Sequence, residues 1–439
     1  PFHNGRTANR LALPGDRYLY RPDRNNFQPR LGAAWEFREG SVLRASYGSY
    51  ADRLVQIMFT NVVNNGPLAL SSNSPNQRFV LASPFPVTPL TPSVTAIDPT
   101  LVNPFIHRFN VAIEQRIDPN TTITAAYVGS RSWNLLYVPS VNGFGGVPQA
   151  SRPDPRYTTQ TLLTNGPNSR YDALQTFLKR RFSSGLDFTA AWTYSHARDQ
   201  FTSETGFGPF PALINAGASS ATGFQGGGGQ FTPRALDAEY GYSGFDVRHA
   251  LTFSHVWELP FGRGRRWLNN GYRLATALAG GWSLSGVAVI TTGEPVNVRL
   301  GRDSNDDGDV AQDRPALLQG SLDDLYARSS QEPTQWFKPQ TEAGRLLGVP
   351  PDVTNPEASI ARNALRAPGA RFYDLSLMRA FALGERVRLR FEANAFNVFN
   401  NVNFGPPVSD LSSDRFGRLI STREGVNPRQ LQLGLKVTF

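Results

Sequence analysis

Along much of the chain, apolar and polar positions exchange at every step, the period of a strand whose successive side chains point to opposite faces. The last residues show it most cleanly. Leu431, Leu433, Leu435, Val437 and Phe439 are apolar, while Gln430, Gln432, Gly434, Lys436 and Thr438 between them are polar or small. The segment from Arg386 repeats the pattern with more charge: Val387, Leu389, Phe391 and Ala393 share one side, and Arg386, Arg388, Arg390, Glu392 and Asn394 the other. Eleven such segments follow one another, near 27–38, 41–53, 105–118, 121–138, 169–182, 186–200, 246–261, 280–294, 371–383, 385–400 and 427–439. Each has roughly ten residues or more, the length a tilted strand needs to cross a bilayer, whereas soluble strands run about 5–6. The pattern predicts an all-β fold of antiparallel transmembrane strands.

The connections alternate in length. Arg38 to Ser41, Asp118 to Thr121, Ser183 to Gly185 and Leu383 to Glu385 are short; 54–104, 139–168, 201–245, 295–370 and 401–426 are long. Short periplasmic turns and long extracellular loops are the layout of an outer-membrane β-barrel. If the last strand descends to the periplasm, every short turn falls on that side, and residues 1–26 end an extracellular loop. The connection 262–279, with Arg263, Arg265, Arg266 and Trp267, should be a tight turn yet runs long. Eleven strands are half of the 22 found in barrels with a plugged lumen. Residues 27–439 are therefore expected to be the C-terminal half of a barrel, an open half-barrel whose first and last strands are unpaired edges.

Composition narrows the alternatives. The 40 glycines and 33 prolines suit turns and penalise helices. The chain has no cysteine, which removes disulfides, thiolate metal sites and thiol nucleophiles. No run of apolar residues is long enough for a transmembrane helix. The chain opens on Pro1 without a signal peptide, as expected of a fragment whose N-terminal part lies upstream. The net charge of +9 raises nucleic-acid binding, but the arginines are scattered and form no contiguous patch with stacking partners, so that class is set aside. Trp35, Tyr47, Tyr127, Trp192, Tyr194, Trp257 and Trp282 lie within strands, where interfacial girdles belong. Arg386, Arg388, Arg390, Glu392, Lys179, Arg181, Glu114 and Arg116 fall on the polar side and are expected to face the lumen, since arginine against lipid at mid-bilayer costs about 2–4 kcal/mol.

Several stretches resemble the Oar-like branch of TonB-dependent receptors. They are Ala126-Tyr-Val-Gly-Ser-Arg131, Tyr171-Asp-Ala-Leu-Gln175 with Arg180-Arg-Phe182, Phe245-Asp-Val-Arg-His249, and Glu258-Leu-Pro-Phe-Gly-Arg-Gly264. Gly280-Gly-Trp282, Thr292-Gly-Glu-Pro295, Arg362-Asn-Ala-Leu-Arg-Ala-Pro-Gly369 and Phe391-Glu-Ala-Asn-Ala-Phe-Asn-Val-Phe-Asn400 continue the series. Each motif is weak alone; their order over nearly the whole chain is specific. The resemblance implies a transporter of a bulky solute in the outer membrane of a Gram-negative bacterium. It would be energised through the TonB complex by a plug and TonB box N-terminal to Pro1, with the lumen-facing charges against the plug. It further implies outer-membrane lipid and lipopolysaccharide as surroundings. The terminal Leu431, Leu433, Leu435, Val437 and Phe439 resemble the signal read by the barrel-assembly machinery. A second reading is an Oar-type barrel whose long loops serve adhesion or surface assembly without transport.

One local motif invites a metal. Asp303, Asn305, Asp307 and Asp309 place oxygen ligands at alternate positions around Gly308, like the start of an EF-hand-type calcium loop. Arg314 stands where the closing glutamate belongs, leaving Asp313 as a substitute. The opposing reading is an Asx-rich surface turn. Enzyme signatures are missing: His3, His107, His196, His249 and His255 have no metal-ligand spacing, Gly281-Trp-Ser283-Leu-Ser285 lacks the closing glycine of a nucleophile elbow, and Gly226–Gly229 is no phosphate loop.

Overall fold

The fold comes from a computed structural model. It describes residues 2–3, 6–7, 20–52, 94–137, 139, 142, 149–152, 154–157, 160–181, 185–200, 233–269, 276, 278–305, 313–328, 332–353, 355–382, 384, 386–423 and 425–439. Most of the expected loops 54–104 and 201–245, with the glycine run 226–229, lie outside these residues.

Eleven long strands form one continuous antiparallel meander. They are β1 (Arg30–Arg38), β2 (Ser41–Ala51), β3 (Phe105–Asp118), β4 (Thr121–Trp133), β5 (Ser169–Arg181) and β6 (Leu186–Asp199). The series continues with β7 (His249–Glu258), β8 (Trp282–Thr291), β9 (Ala370–Ala382), β10 (Arg388–Phe396) and β11 (Gln430–Thr438). Each pairs with its neighbour in sequence, so that among the described residues β1 and β11 have one long partner apiece. Every strand falls on a segment that alternation predicts, β9 starting one residue early.

The turns have local causes. Between β1 and β2, Gly40 takes a left-handed φ of 74° that costs glycine little, and its N–H donates to Glu36 Oε1. Between β3 and β4, Asp118 Oδ1 accepts from Asn120 N at 2.7 Å, an Asx turn that closes the ribbon. The long connection between β7 and β8 folds back on itself. Phe261 bridges Trp267 with ring centroids 5.3 Å apart, and Arg265 reaches Glu258 at 2.6 Å.

The two predicted segments that run furthest past the ends of their strands, 121–138 and 385–400, are both stopped at asparagine. The segment 121–138 stops as β4 at Trp133, because Asn134 turns left-handed at φ 56°. Leu136–Tyr137 beyond it joins a separate sheet with Gln160–Asn165, which also pairs in parallel with Val94–Ile97. The segment 385–400 stops as β10 at Phe396. Asn397 and Asn400 are left-handed, and the Asn397 amide donates to Asn401 O and Asn427 O.

The loops after β8 and β10 build a compact cap with its own core. Val296, Val298, Leu300, Leu325, Phe337, Ala343, Leu347, Leu365, Leu411 and Phe416 are buried together. Phe337 stacks on Phe416 with centroids 6.1 Å apart, and Trp336 Nε1 donates to Arg366 O at 2.7 Å. Short ribbons Pro295–Val296 with Leu365–Arg366 and Ala316–Leu317 with Leu347–Gly348 frame it.

Candidate functional site

Residues directly opposite in an antiparallel pair lie on the same face, so the register sorts every strand position. Leu31 opposes Tyr47 and Trp35 opposes Leu43; Tyr47 then opposes Phe109 and Leu43 opposes Ile113. The row continues through Val111 with Tyr127, Tyr127 with Leu174 and Leu174 with Tyr194. Across the rest of the sheet, Trp192 opposes Leu251, Leu251 Ile290, Leu284 Leu377, and Phe391 Leu435. One face thus carries an apolar row from the first strand to the last. It is also uncovered: Leu431, Leu433 and Leu435 are 75, 74 and 67% exposed. Apolar surface of this extent is stable only against another apolar phase, and among the described residues no second layer packs on it.

This face is fitted closely in places. Phe109 lies flat over Gly129, its directly opposed neighbour, and a Cβ there would collide with the ring. Over Gly286, the Tyr373 hydroxyl meets His255 Nε2 at 2.6 Å.

The other face carries the charges. Arg44 lies 3.7 Å from Glu114, Arg181 3.4 Å from Asp187, and Arg390 pairs with Glu392. Lys179 opposes Thr122, Arg116 opposes Thr122 from the other side, and Arg388 opposes Thr438. Arg386 precedes β10 in the turn and belongs to no strand. A hollow of about 530 Å³ opens on this wall beside Lys179, Arg181, Asp187, Asp374, Ser376 and Asn394. Hydroxyls link across it: Thr189 Oγ1 and Ser254 Oγ are 2.6 Å apart, and Ser376 Oγ donates to Asn394 Oδ1 at 2.6 Å. A polar, charged wall opposite an apolar one defines a membrane-spanning barrel wall.

At the loop end of the sheet, buried ion pairs tie the cap to the strands. Arg314 meets Glu239 with two parallel bonds of 2.8 Å, the side chains being only 1% and 5% exposed. Arg362 pairs with Asp199 at the end of β6 and donates to Glu239 O at 3.0 Å. Arg366 pairs with Asp246, whose Oδ1 accepts from Ala197 N at 2.6 Å. Asp246 belongs to the stretch Phe245–His249, and Arg362 and Arg366 to Arg362–Gly369. Two motifs quoted for their resemblance are therefore two halves of one clamp, a role that sequence reading did not assign.

The calcium reading stays on partial ground. Asp307 and Asp309 lie outside the described residues, and among the described residues no three acidic or histidine side chains converge. Asp313 is buried and accepts from Ser304 N at 2.7 Å; burial raises its carboxyl above the ordinary range. Its neighbour Arg314, in the place of the closing ligand, is locked to Glu239.

Another loop holds a carboxylate in the opposite state. Arg156 donates to both oxygens of Asp154 at 2.9 and 2.7 Å, and chiefly through these bonds holds it down at about 2, below its ordinary 3.8. A depressed folded value stabilises above the unfolded one and is lost as pH falls through the folded one. The contacts of Asp154 with Asn142 are thus expected to protect this loop from amide exchange down to about pH 4 and to loosen toward pH 2. Asp154→Asn should remove that dependence.

The wall's class is matched by its family. The model of the outer membrane beta barrel domain matches residues 3–432, and the chain belongs to that family, resident in the outer membrane of Gram-negative cells. No curated protein matches it by sequence. Among solved structures it is similar to the outer membrane transporter YddB from Escherichia coli, with a TM-score of 0.52 at 12% identity over 96% of this chain and 41% of that one. It also matches the ferripyoverdine receptor of Pseudomonas aeruginosa, with a TM-score of 0.42 at 10% identity over 94% of this chain and 32% of that one. The chain therefore spans less than half the length of either neighbour.

Proposed function

We propose that the chain is the C-terminal half of a TonB-dependent receptor of the Oar-like branch that imports a bulky solute. The observation that carries this reading is the charged inner wall. Arg44, Glu114, Lys179, Arg181, Arg388, Arg390 and Glu392 share it, a lining suited to water or to a polar plug and hostile to lipid. Residues upstream of Pro1 supply the remaining strands, the plug and the TonB box; in this arrangement β1 and β11 meet strands of that missing half, giving 22. The cap faces the medium and receives the solute. The alternating end of β11, with Phe439, is what the barrel-assembly machinery engages.

The test uses the full-length receptor in cells. A photo-cross-linking residue at Arg390 or Lys179 should capture peptides from the region upstream of Pro1, and a soluble TonB C-terminal domain should co-purify with the receptor. Cross-links to lipid alone would mean the charged face is not the lumen. Plug cross-links without any TonB capture would remove the energy coupling and keep the plugged barrel.

A further inference from the structure

The apolar face carries single cations at Arg180, opposite Phe188, at Arg371, opposite Ile290, and at Arg379, opposite Trp282; among the described residues, cations stand side by side on it at one place. At the loop end of the sheet, Arg170 of β5 stands directly opposite Arg131 of β4 and, on its other side, Arg198 of β6. Opposed side chains sit with Cβ atoms about 4.5–5.5 Å apart, and like charges so placed repel. His107 extends the row beyond Arg131. Just below it, on the same face, come Tyr127, Tyr194 and Trp192, and then Leu174 and Leu251. Three cations therefore crown an aromatic belt on a surface that faces hydrocarbon.

Their internal partners do not balance them. Asp172 serves two, accepting from Arg131 at 2.7 Å and from Arg170 at 2.6 Å. Arg131 is otherwise spent on backbone, donating to Ser130 O and Tyr171 O. Arg170 reaches Asp172 through Nε, and its side chain is 57% exposed. Arg198 rests over the ring of Tyr242 at 5.0 Å, itself a neutral partner. Between them lies a recess of about 460 Å³ bordered by Tyr127, Arg170, Asp172, His196, Arg198 and Tyr240.

We propose that this recess binds the phosphorylated headgroup of an outer-leaflet glycolipid, its acyl chains running down the apolar face. Guanidinium forks match phosphate oxygens in two-bond geometry, and a bound phosphate relieves the repulsion that the row otherwise carries. The continuous apolar surface beneath distinguishes a lipid from a free anion. The assignment rests on the orientation given above, in which the loop end faces outward.

The experiment is native mass spectrometry of the full-length receptor in detergent, titrated with diphosphorylated lipid A and with its dephosphorylated form. The wild type should prefer the diphosphorylated lipid at least about tenfold, and Arg170→Gln/Arg198→Gln should lose most of that preference. Arg388→Gln/Arg390→Gln, on the opposite face, should keep it. Equal binding of the two lipids by the wild type overturns the proposal whether or not the double variant assembles. So does an equal loss in the control pair, or full displacement of lipid by inorganic phosphate. Labelling a cysteine at position 355 in intact cells reads orientation separately. If that loop is shielded while the phosphate preference persists, the outer-leaflet assignment falls with the orientation, and phosphate recognition by the arginines stands apart from it.

Discussion

Leu377→Arg is expected to abolish assembly in the outer membrane, while Ser376→Arg, one residue away and with the same added charge, leaves assembly near normal. Leu377 lies mid-strand on the apolar face between Leu284 and Ala393. Ser376 faces the hollow that Asp374 and Asn394 also line. A cation against lipid near the midplane costs about 2–4 kcal/mol, whereas one directed to a polar lumen is solvated there. The readout is the amount of heat-modifiable protein in outer-membrane fractions. Equal yields for the two variants would mean that both faces meet the same medium.

The second large effect is expected at the clamp. Arg362→Ala removes a cation from the buried Asp199 carboxylate, which also accepts from Ser243 Oγ at 2.6 Å, and removes a donor to the Glu239 carbonyl. Breaking one side of a buried pair costs about 3–5 kcal/mol. Because the pairs join loops to the rim, the loss should fall on the cap: added protease should cut within 295–370 in intact cells while the strands stay protected. Arg362→Lys should recover only part, since one ammonium cannot reproduce the planar fork that reaches both residues. Unchanged protease resistance in Arg362→Ala would show that the hydrophobic core around Leu325, Phe337 and Phe416 holds the cap without it.

Strands were legible because lipid imposes the simplest rule a sequence can obey. Each step along β10 or β11 changes medium, so Leu433 and Leu435 must be apolar and Gln432 and Lys436 need not be. Their ends were less so. Alternation runs on past Trp133 and Phe396, and only the left-handed asparagines at 134 and 397 stop the strands.

The cap was not legible at all. Its core residues Val296, Leu325, Phe337 and Phe416 come from two loops without periodicity, and their meeting is decided by packing between distant segments. The clamp is harder still, for Asp199 and Arg362 are separated by 163 positions and nothing local to either names its partner. The motifs around Asp246 and Arg362 could be quoted but not explained until the two were seen side by side. The arginine row has the same character. Arg131, Arg170 and Arg198 are unremarkable in three separate strands, and only the register makes them neighbours.

The absence of cysteine from the chain offers a direct way to read the two faces. Single cysteines placed at each position from 388 to 396 in the full-length receptor can be spin-labelled in liposomes, and their collision rates with oxygen and with a water-soluble nickel chelate compared. The predicted profile has period two, with oxygen favoured at 389, 391, 393 and 395 and the chelate at the positions between. A profile without that period, or one shifted by a single residue, would contradict the assignment of lipid to the face that carries Phe391.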